Sequence, residues 1–291
     1  MPTREILAQD YRSKAIFFIK SLKNNLSPKF KKEISQILDW DERKMNDFQL
    51  GKLELDAIGL SKLAAHFNFS LKAFEEDRVD FKTINDHRNG KEDALPERYT
   101  KGPLTMGNVI INDTLEQVGK FFGAHLKECA LNDLQIGDYT SKYPDKYLSI
   151  QTLSDLYDFL ASYGLNETDI EYLGASCCRA VLNKPEMKEL SNIPCDQEFF
   201  KAFFNFVSKY VASHFIFNIV ENSSHQFILD LTHNQEVEKH FAPERIGSHL
   251  TCCNMLGGFK NTFVHRGIHP IASHPKCIHR GDAVCRFNFD F

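Results

Sequence analysis

The chain has few of the features that mark membrane-embedded, secreted or strongly basic proteins. It contains no run of about 18 apolar residues, which argues against a bilayer-spanning helix. Its first residues, MPTREILAQDYRSK, are charged from position 4 and lack the apolar segment of a secretory leader, so a cytoplasmic protein is expected. No charge sign dominates: 35 Lys and Arg stand against 39 Asp and Glu, and a formal net charge of −4 gives no global pull toward nucleic acid. The balance is 18 to 17 in residues 1–100 and 17 to 22 in residues 101–291, so only the first part is suited to face phosphate. A Gly-rich phosphate loop, a G-x-S-x-G elbow, an H-E-x-x-H helix and a dinucleotide fingerprint are all missing. Asp138, Asp155, Asp158 and Glu171 are scattered and are expected in solvent, so no enzyme is expected.

Tryptophan is nearly absent, with one copy, whereas phenylalanine is abundant, with 25. Many of these crowd into Phe199–Phe217, FFKAFFNFVSKYVASHFIF, which reads first as core. Eight cysteines stand at 129, 177, 178, 195, 252, 253, 277 and 285. In a reducing compartment, clustered cysteines serve more often as metal ligands or buried thiols than as disulfides, and the adjacent pairs 177–178 and 252–253 fit no disulfide framework.

Along the chain, residues 1–82 read as short helices. Ile6–Leu22 has helical apolar spacing, Asn24-Asn25 and Ser27-Pro28 form a break, and a second helix runs from Pro28 to Leu38. Asp39 or Asp41 can cap a helix Glu42–Leu50 that ends at Gly51, a fourth spans Ala57–Phe67, and Ser70 can cap LKAFEE. Residues 83–109 are polar and rich in Gly and Pro, and read as a linker. From 110 to 291 the pattern is α+β, with helices at Leu115–Leu131, Gln151–Ser162 and Glu198–Val211. Strands are expected at His214–Glu221, Gln226–Leu231 and Ala283–Phe291; in the last, Cys285, Phe287 and Phe289 alternate with polar residues.

Within the helical region, ISQIL, MNDFQLGKL and LSKLAAHFNFSLKAF resemble the Xre/Cro-type helix-turn-helix family over Glu33–Phe74, with Gly51-Lys52, Leu63-Ala64 and Phe69-Ser70-Leu71 at its characteristic places. The resemblance implies double-stranded DNA as a partner, contacted by Arg43, Lys44, Asn46, Gln49 and Lys52, and a homodimer reading paired half-sites. Asp41, Glu42 and Asp47 on the same segment would repel phosphate, so a module used only for dimerisation is the competing reading.

The C-terminal stretch carries the strongest chemical signal. Cys277 and Cys285 bracket a turn containing Gly281 and Asp282; His274 lies three residues before the first, and the Cys252-Cys253 pair can supply a further thiolate. Three sulfurs and one imidazole make a closed tetrahedral set of the structural zinc type, so Zn2+ is the expected cofactor and Cys252, Cys253, His274, Cys277 and Cys285 its candidate ligands. His249, His265, His269 and His279 are read as surface residues, and Cys129, Cys177, Cys178 and Cys195 as core thiols. The segments TCCNMLGG and HPKCIHRGDAVCRFNF resemble the end of the 4-vinyl-reductase-like sensor family, which includes phenol-responsive sensor domains and is related to Golgi transport-particle subunits. Its Cys-x4-Gly element is met by both Cys252–Gly257 and Cys253–Gly258, and His274 stands where the phenol sensors carry Glu.

This resemblance implies an antiparallel sheet, a zinc-stapled last strand, and a cavity for an apolar or aromatic small molecule or a fatty-acyl chain. Its candidate lining is Phe203, Phe204, Phe206, Val207, Tyr210, Phe215 and Phe217, with His214 or Asn218 as polar handle. Haem nitric-oxide sensors share the wider fold, but their Tyr-x-Ser-x-Arg motif is absent here. The expectation is therefore an α+β protein: a helical helix-turn-helix domain at 1–82, a linker at 83–109 and a sensor domain at 110–291. Its expected function is a ligand-responsive transcriptional regulator. The alternative is a non-DNA-binding scaffold with a degenerate helix-turn-helix used for dimerisation.

Overall fold

A computed structural model of the protein describes residues 28–50, 52–182, 185–241 and 246–291. The expected helix Ile6–Leu22, the break at Asn24, Asn25 and Ser27, and the Gly51 cap lie outside the described residues. The chain divides into two units, residues 1–96 with 131–136 and residues 97–130 with 137–291. The protein is α+β, as its sequence pattern implies. Among the described residues no helix is long and apolar enough to cross a membrane.

The first unit is helical, and short polar side chains set its helix starts. Helices α1 (Pro28–Leu38), α2 (Glu42–Gln49), α3 (Ala57–Phe67), α4 (Leu71–Glu75) and α5 (Phe81–Arg88) follow one another. The carboxylates of Asp41 and Asp56 accept the backbone N–H groups of Lys44 and Gly59 at 2.7 and 2.6 Å, and the Ser70 hydroxyl accepts that of Ala73 at 2.8 Å. Between these caps the apolar positions converge: Ile34, Leu38, Met45, Phe48, Leu60, Leu63, Phe67, Phe69, Phe74 and Ile84 form one core. Asp133 joins this unit, its buried carboxylate accepting the Ser70 hydroxyl and the Arg78 guanidinium.

The second unit opens inside the segment expected to be a linker. Residues 83–109 hold the end of α5, the short helix α6 (Glu97–Thr100), strand β1 (Met106–Gly107) and the start of α7 (Asn108–Phe121). Tyr99 is wholly buried; its hydroxyl donates to Asp155 at 2.8 Å, and Arg98 pairs with the same oxygen at 3.0 Å. Asp155 is therefore a buried anchor and not the solvated carboxylate expected. Removing one partner of a buried ionic network strands the others, so Asp155→Ala is expected to lower unfolding free energy by about 3 kcal/mol in urea titrations, and Asp155→Asn by less.

The expected helix Leu115–Leu131 is two helices, α7 and α8 (Ala124–Leu134), because the chain turns at Gly123, whose φ of +105° suits only a residue without a side chain. After α9 (Tyr139–Lys142) and strand β2 (Tyr147–Leu148) come α10 (Gln151–Ser162), α11 (Glu167–Leu182), α12 (Pro185–Leu190) and α13 (Asp196–Tyr210). Strands β3 (Phe215–Asn222) and β4 (Gln226–His233), helices α14 (Gln235–Glu238) and α15 (His249–His265), and strands β5 (Ile271–Lys276) and β6 (Cys285–Asp290) complete the chain.

The four long strands form an antiparallel sheet in the order β3-β4-β6-β5, and a separate small sheet pairs β1 with β2. Along β6, Cys285, Phe287 and Phe289 are buried and alternate with Arg286 and Asn288, the period-2 pattern of a strand with one packed face. Across the sheet, Arg286 makes a bidentate pair with Asp230 at 2.6 and 2.7 Å. On the packed face the Phe-rich segment does what its composition implies. Phe200, Phe204, Phe227, Phe263 and Phe289 stack with ring centroids 4.2–6.4 Å apart, tying α13 and α15 to β4 and β6.

Candidate functional site

Two features meet in the second unit: a cluster of sulfur and nitrogen donors at one end of α15 and a cavity along its flank. Ser248 starts α15 with a capping box, its hydroxyl and the Thr251 side chain satisfying each other's backbone N–H groups. Successive helical residues project about 100° apart, so Cys252 and Cys253 cannot face the same point. Cys252 turns toward β5 and β6. Its sulfur lies 3.5 Å from that of Cys285, and the donor atoms of Cys252, His274, Cys277 and Cys285 all fall within 4.8 Å of one another. Cys253 turns away from this set, toward His249 and Glu167. Two sulfurs each about 2.3 Å from a tetrahedral centre are separated by roughly 3.8 Å, close to the spacing seen.

Local backbone features place the other three donors. Cys277 opens a turn in which its carbonyl accepts the N–H groups of Arg280 and Asp282 at 2.9 and 3.1 Å, and the Asp282 carboxylate accepts the Cys277 N–H at 2.8 Å. Gly281 closes this turn at φ +98°, and the returning chain sets Cys285 where its sulfur accepts the Ile278 N–H at 3.3 Å. His274 sits in an irregularity of the edge strand: β5 and β6 shift register between Ser273 and Lys276, where Pro275 has no N–H to offer the ladder. The bulge re-aims the imidazole, which stacks on Phe287 at 4.5 Å and leaves Nε2 buried without a protein partner.

The electrostatics fit a cation-binding centre. Hydrogen bonds from Cys252 and Cys285 hold the Cys277 thiol far below its ordinary value, favouring a thiolate. The same contacts, with burial, drive Cys252 well above its ordinary value. At Cys285 the Cys252 thiol pulls downward, but Cys277 and burial outweigh it and push the group up to about 12. Three sulfurs this close do not all ionise unless a cation joins them.

The cavity has a volume of about 70 Å³ and is walled by α7, α10, α11, α13 and α15. Of the predicted lining residues it brings Phe203, Val207 and His214 together; Met106, Cys177, Asn254 and Phe259 add walls that periodicity alone did not mark. Phe204 and Phe215 are core, Phe217 packs on Phe259, and Phe206 and Tyr210 flank a surface groove. His214 is completely buried with neither ring nitrogen hydrogen-bonded, and the Asn254 amide nitrogen is also buried and unpartnered. Burial pushes His214 down to about 3, outweighing an upward pull from the Thr105 backbone.

The imidazole is therefore neutral in the fold, and the unfolded chain takes up its proton first on acidification. Its contribution to stability is present above about pH 6.5 and is lost as pH falls from there toward 3, by up to roughly 1.4 kcal/mol per pH unit. Unfolding titrations at pH 7.5, 6.0 and 5.0 should show a steeper loss for the native chain than for His214→Leu, since other titrating groups are common to both.

Of the predicted DNA contacts, Arg43, Lys44 and Asn46 are exposed on α2, with Arg43 4.0 Å from Asp47, and Lys52 is exposed beyond it. Gln49 is the last residue of α2.

No protein-family model matches the chain, and a search of curated proteins finds no similar sequence. Similar solved structures include H-NOX proteins. One from S. oneidensis in the Fe(II)NO state is 14% identical, covering 64% of this chain and 98% of its own, at a TM-score of 0.44. The Fe(II) unliganded protein from K. algicida is 15% identical over 64% and 96% at 0.47. The IWP-051-bound domain from Shewanella woodyi is 14% identical over 64% and 94% at 0.42. The structural neighbours are thus H-NOX domains and neither 4-vinyl-reductase-like nor Xre/Cro-type proteins, which corrects both expected families. With those families go the functions inferred through them: the ligand-responsive transcriptional regulator, its DNA-binding and transcription-regulation roles, and the alternative scaffold. Zinc as cofactor goes too, the neighbours carrying Fe(II). A haem does not fit the cavity either: about 70 Å³ is far too small for the macrocycle, and neither Lys nor Arg lines the walls to meet its carboxylates.

Proposed function

We propose that the second unit is a non-catalytic binding domain for a small, neutral, largely apolar molecule, its last strands clipped to α15 by a metal ion held by Cys252, His274, Cys277 and Cys285. One observation carries the ligand reading: a largely apolar cavity presents two buried polar groups, the His214 ring and the Asn254 amide nitrogen, without a hydrogen-bond partner in the protein. Unpaired polar groups in a dry interior cost free energy that a ligand hydroxyl or carbonyl can recover. A neutral imidazole offers one donor and one acceptor, and the amide offers donors, so either oxygen type can be met. The cavity suits a compact molecule and not an extended acyl chain. Eight cysteines with no disulfide among them suit a reducing compartment such as the cytoplasm.

The metal clip has a separate role. It fastens an edge strand that a bulge and a proline have weakened, and so fixes the sheet against the helix that walls the cavity. A chelator should therefore lower the melting temperature of the native chain but not of Cys252→Ser.

The ligand reading is tested by calorimetric titration of the full chain with benzyl alcohol and with toluene. Benzyl alcohol should bind more tightly than toluene, the preference should vanish in His214→Leu, and Phe203→Trp should abolish both by filling the cavity. Failure of the native chain to bind either probe overturns the reading.

A further inference from the structure

Cys253, left out of the first cluster by helical geometry, is not without company. His249 is one turn earlier on the same face of α15, and its Nε2 lies 3.5 Å from the Cys253 sulfur. Glu167, in the first turn of α11, brings Oε1 to 3.1 Å from the same nitrogen. Ligands about 2.0–2.3 Å from a tetrahedral centre sit roughly 3.3–3.8 Å apart, so these separations are near the edges of a coordination polyhedron, and all three donor atoms lie within 4.8 Å of one another. We propose that Glu167, His249 and Cys253 form a second metal site, distinct from the first and open to solvent, that takes a borderline divalent transition-metal ion.

The donor set decides the class of ion. One thiolate, one imidazole and one carboxylate suit a borderline transition metal and not the all-oxygen preference of magnesium or calcium. Three protein ligands leave a fourth position, and Glu167, with 57% of its side chain exposed, puts that position at the surface. The site therefore exchanges its ion and can take water or a small anion. Cys253 gives up its thiol proton to solvent when the ion binds, as any thiolate ligand must.

Arg280 competes for Glu167 at 2.8 Å, but both side chains are more than half exposed, and an exposed ion pair of this kind is worth little. The other ring nitrogen of His249 links the two sites, because Nδ1 lies 3.4 Å from the Cys277 sulfur. With Nε2 on the second ion, Nδ1–H donates to the Cys277 thiolate, so one imidazole is an inner ligand of one centre and an outer-shell donor to the other.

The test uses the full chain, stripped with chelator and titrated with cobalt(II) alone, read by stoichiometry and by the thiolate-to-cobalt charge-transfer absorption. Two ions per chain are expected for the native protein, the second more weakly held. Glu167→Gln should weaken that second ion by about tenfold or more, and Cys253→Ser should remove it together with part of the absorption, while each keeps one tightly bound ion. Glu167 is exposed, so its variant folds, and circular dichroism checks this. One ion in the native chain, or two undiminished ions in both variants, overturns the second site and leaves the first standing. No ion in the native chain overturns both.

Discussion

Cys252→Ser and Cys285→Ser are each expected to release the tightly held ion and to destabilise the second unit by several kcal/mol, whereas Cys253→Ser should cost about 1 kcal/mol or less. The difference follows from position. Cys252 and Cys285 are both fully buried, and their sulfurs are 3.5 Å apart on opposite sides of the junction between α15 and β6. An ion there ties a helix to a strand far from it in sequence, and its binding free energy counts toward folding because the preformed site does not exist in the unfolded chain. Loss of a structural metal belongs to the short list of changes that exceed the usual 0.5–3 kcal/mol range. Urea unfolding of the native chain and the three variants, with and without chelator, measures this directly. If chelator destabilises all four equally, or none of them, the clip has no structural role.

The second large effect is expected at two glycines. Where α11 crosses α15, a Cβ on Gly174 would stand 1.8 Å from the Asn254 carbonyl oxygen, and one on Gly257 would stand 1.8 Å from that of Glu171. Both obstacles are backbone, so no rotamer change relieves them and the helices must separate. Overpacking typically costs 1–3 kcal/mol where side chains can adjust; about 3 kcal/mol or more is expected here for Gly174→Ala or Gly257→Ala. Gly258 is the control, because its Cβ would meet the nearest atom only at 3.4 Å, an ordinary contact, and Gly258→Ala should be nearly neutral. Gly174 and Asn254 also wall the cavity, so separating the helices should abolish probe binding along with stability. Equal tolerance of all three alanines, read by thermal melts, would contradict the close crossing.

The crossing also explains why the Cys-x4-Gly element could not be aligned from residues alone. Cys252–Gly257 and Cys253–Gly258 are equivalent as strings. In three dimensions Gly257 is the one pressed against a neighbouring backbone, and Cys252 the one that faces Cys277 and Cys285. The Phe-rich segment carries the same lesson. Its phenylalanines are dense enough that burial was legible, but whether a ring faces the sheet, as Phe204 does, or the cavity, as Phe203 does, depends on where α13 meets its neighbours. In the sequence His249 reads as a surface residue, because one imidazole four residues before a cysteine is a weak signal. Cys253 follows one turn along the same helix, but only the chain returning after β5 brings Cys277 to its ring, and only the start of α11 brings Glu167.

What the amino-acid string determined by itself is the part governed by neighbours a few residues away. The cap at Ser70, the helix Gln151–Ser162, the alternation of β6 and the turn from Cys277 to Cys285 all follow from local hydrogen bonding and periodicity. Tertiary structure alone decided which sulfurs share a point, which polar groups are stranded in a cavity and which glycines must remain glycine. Those properties arise from elements tens of residues apart meeting at a distance of a few ångströms, and chain spacing carries no record of that distance.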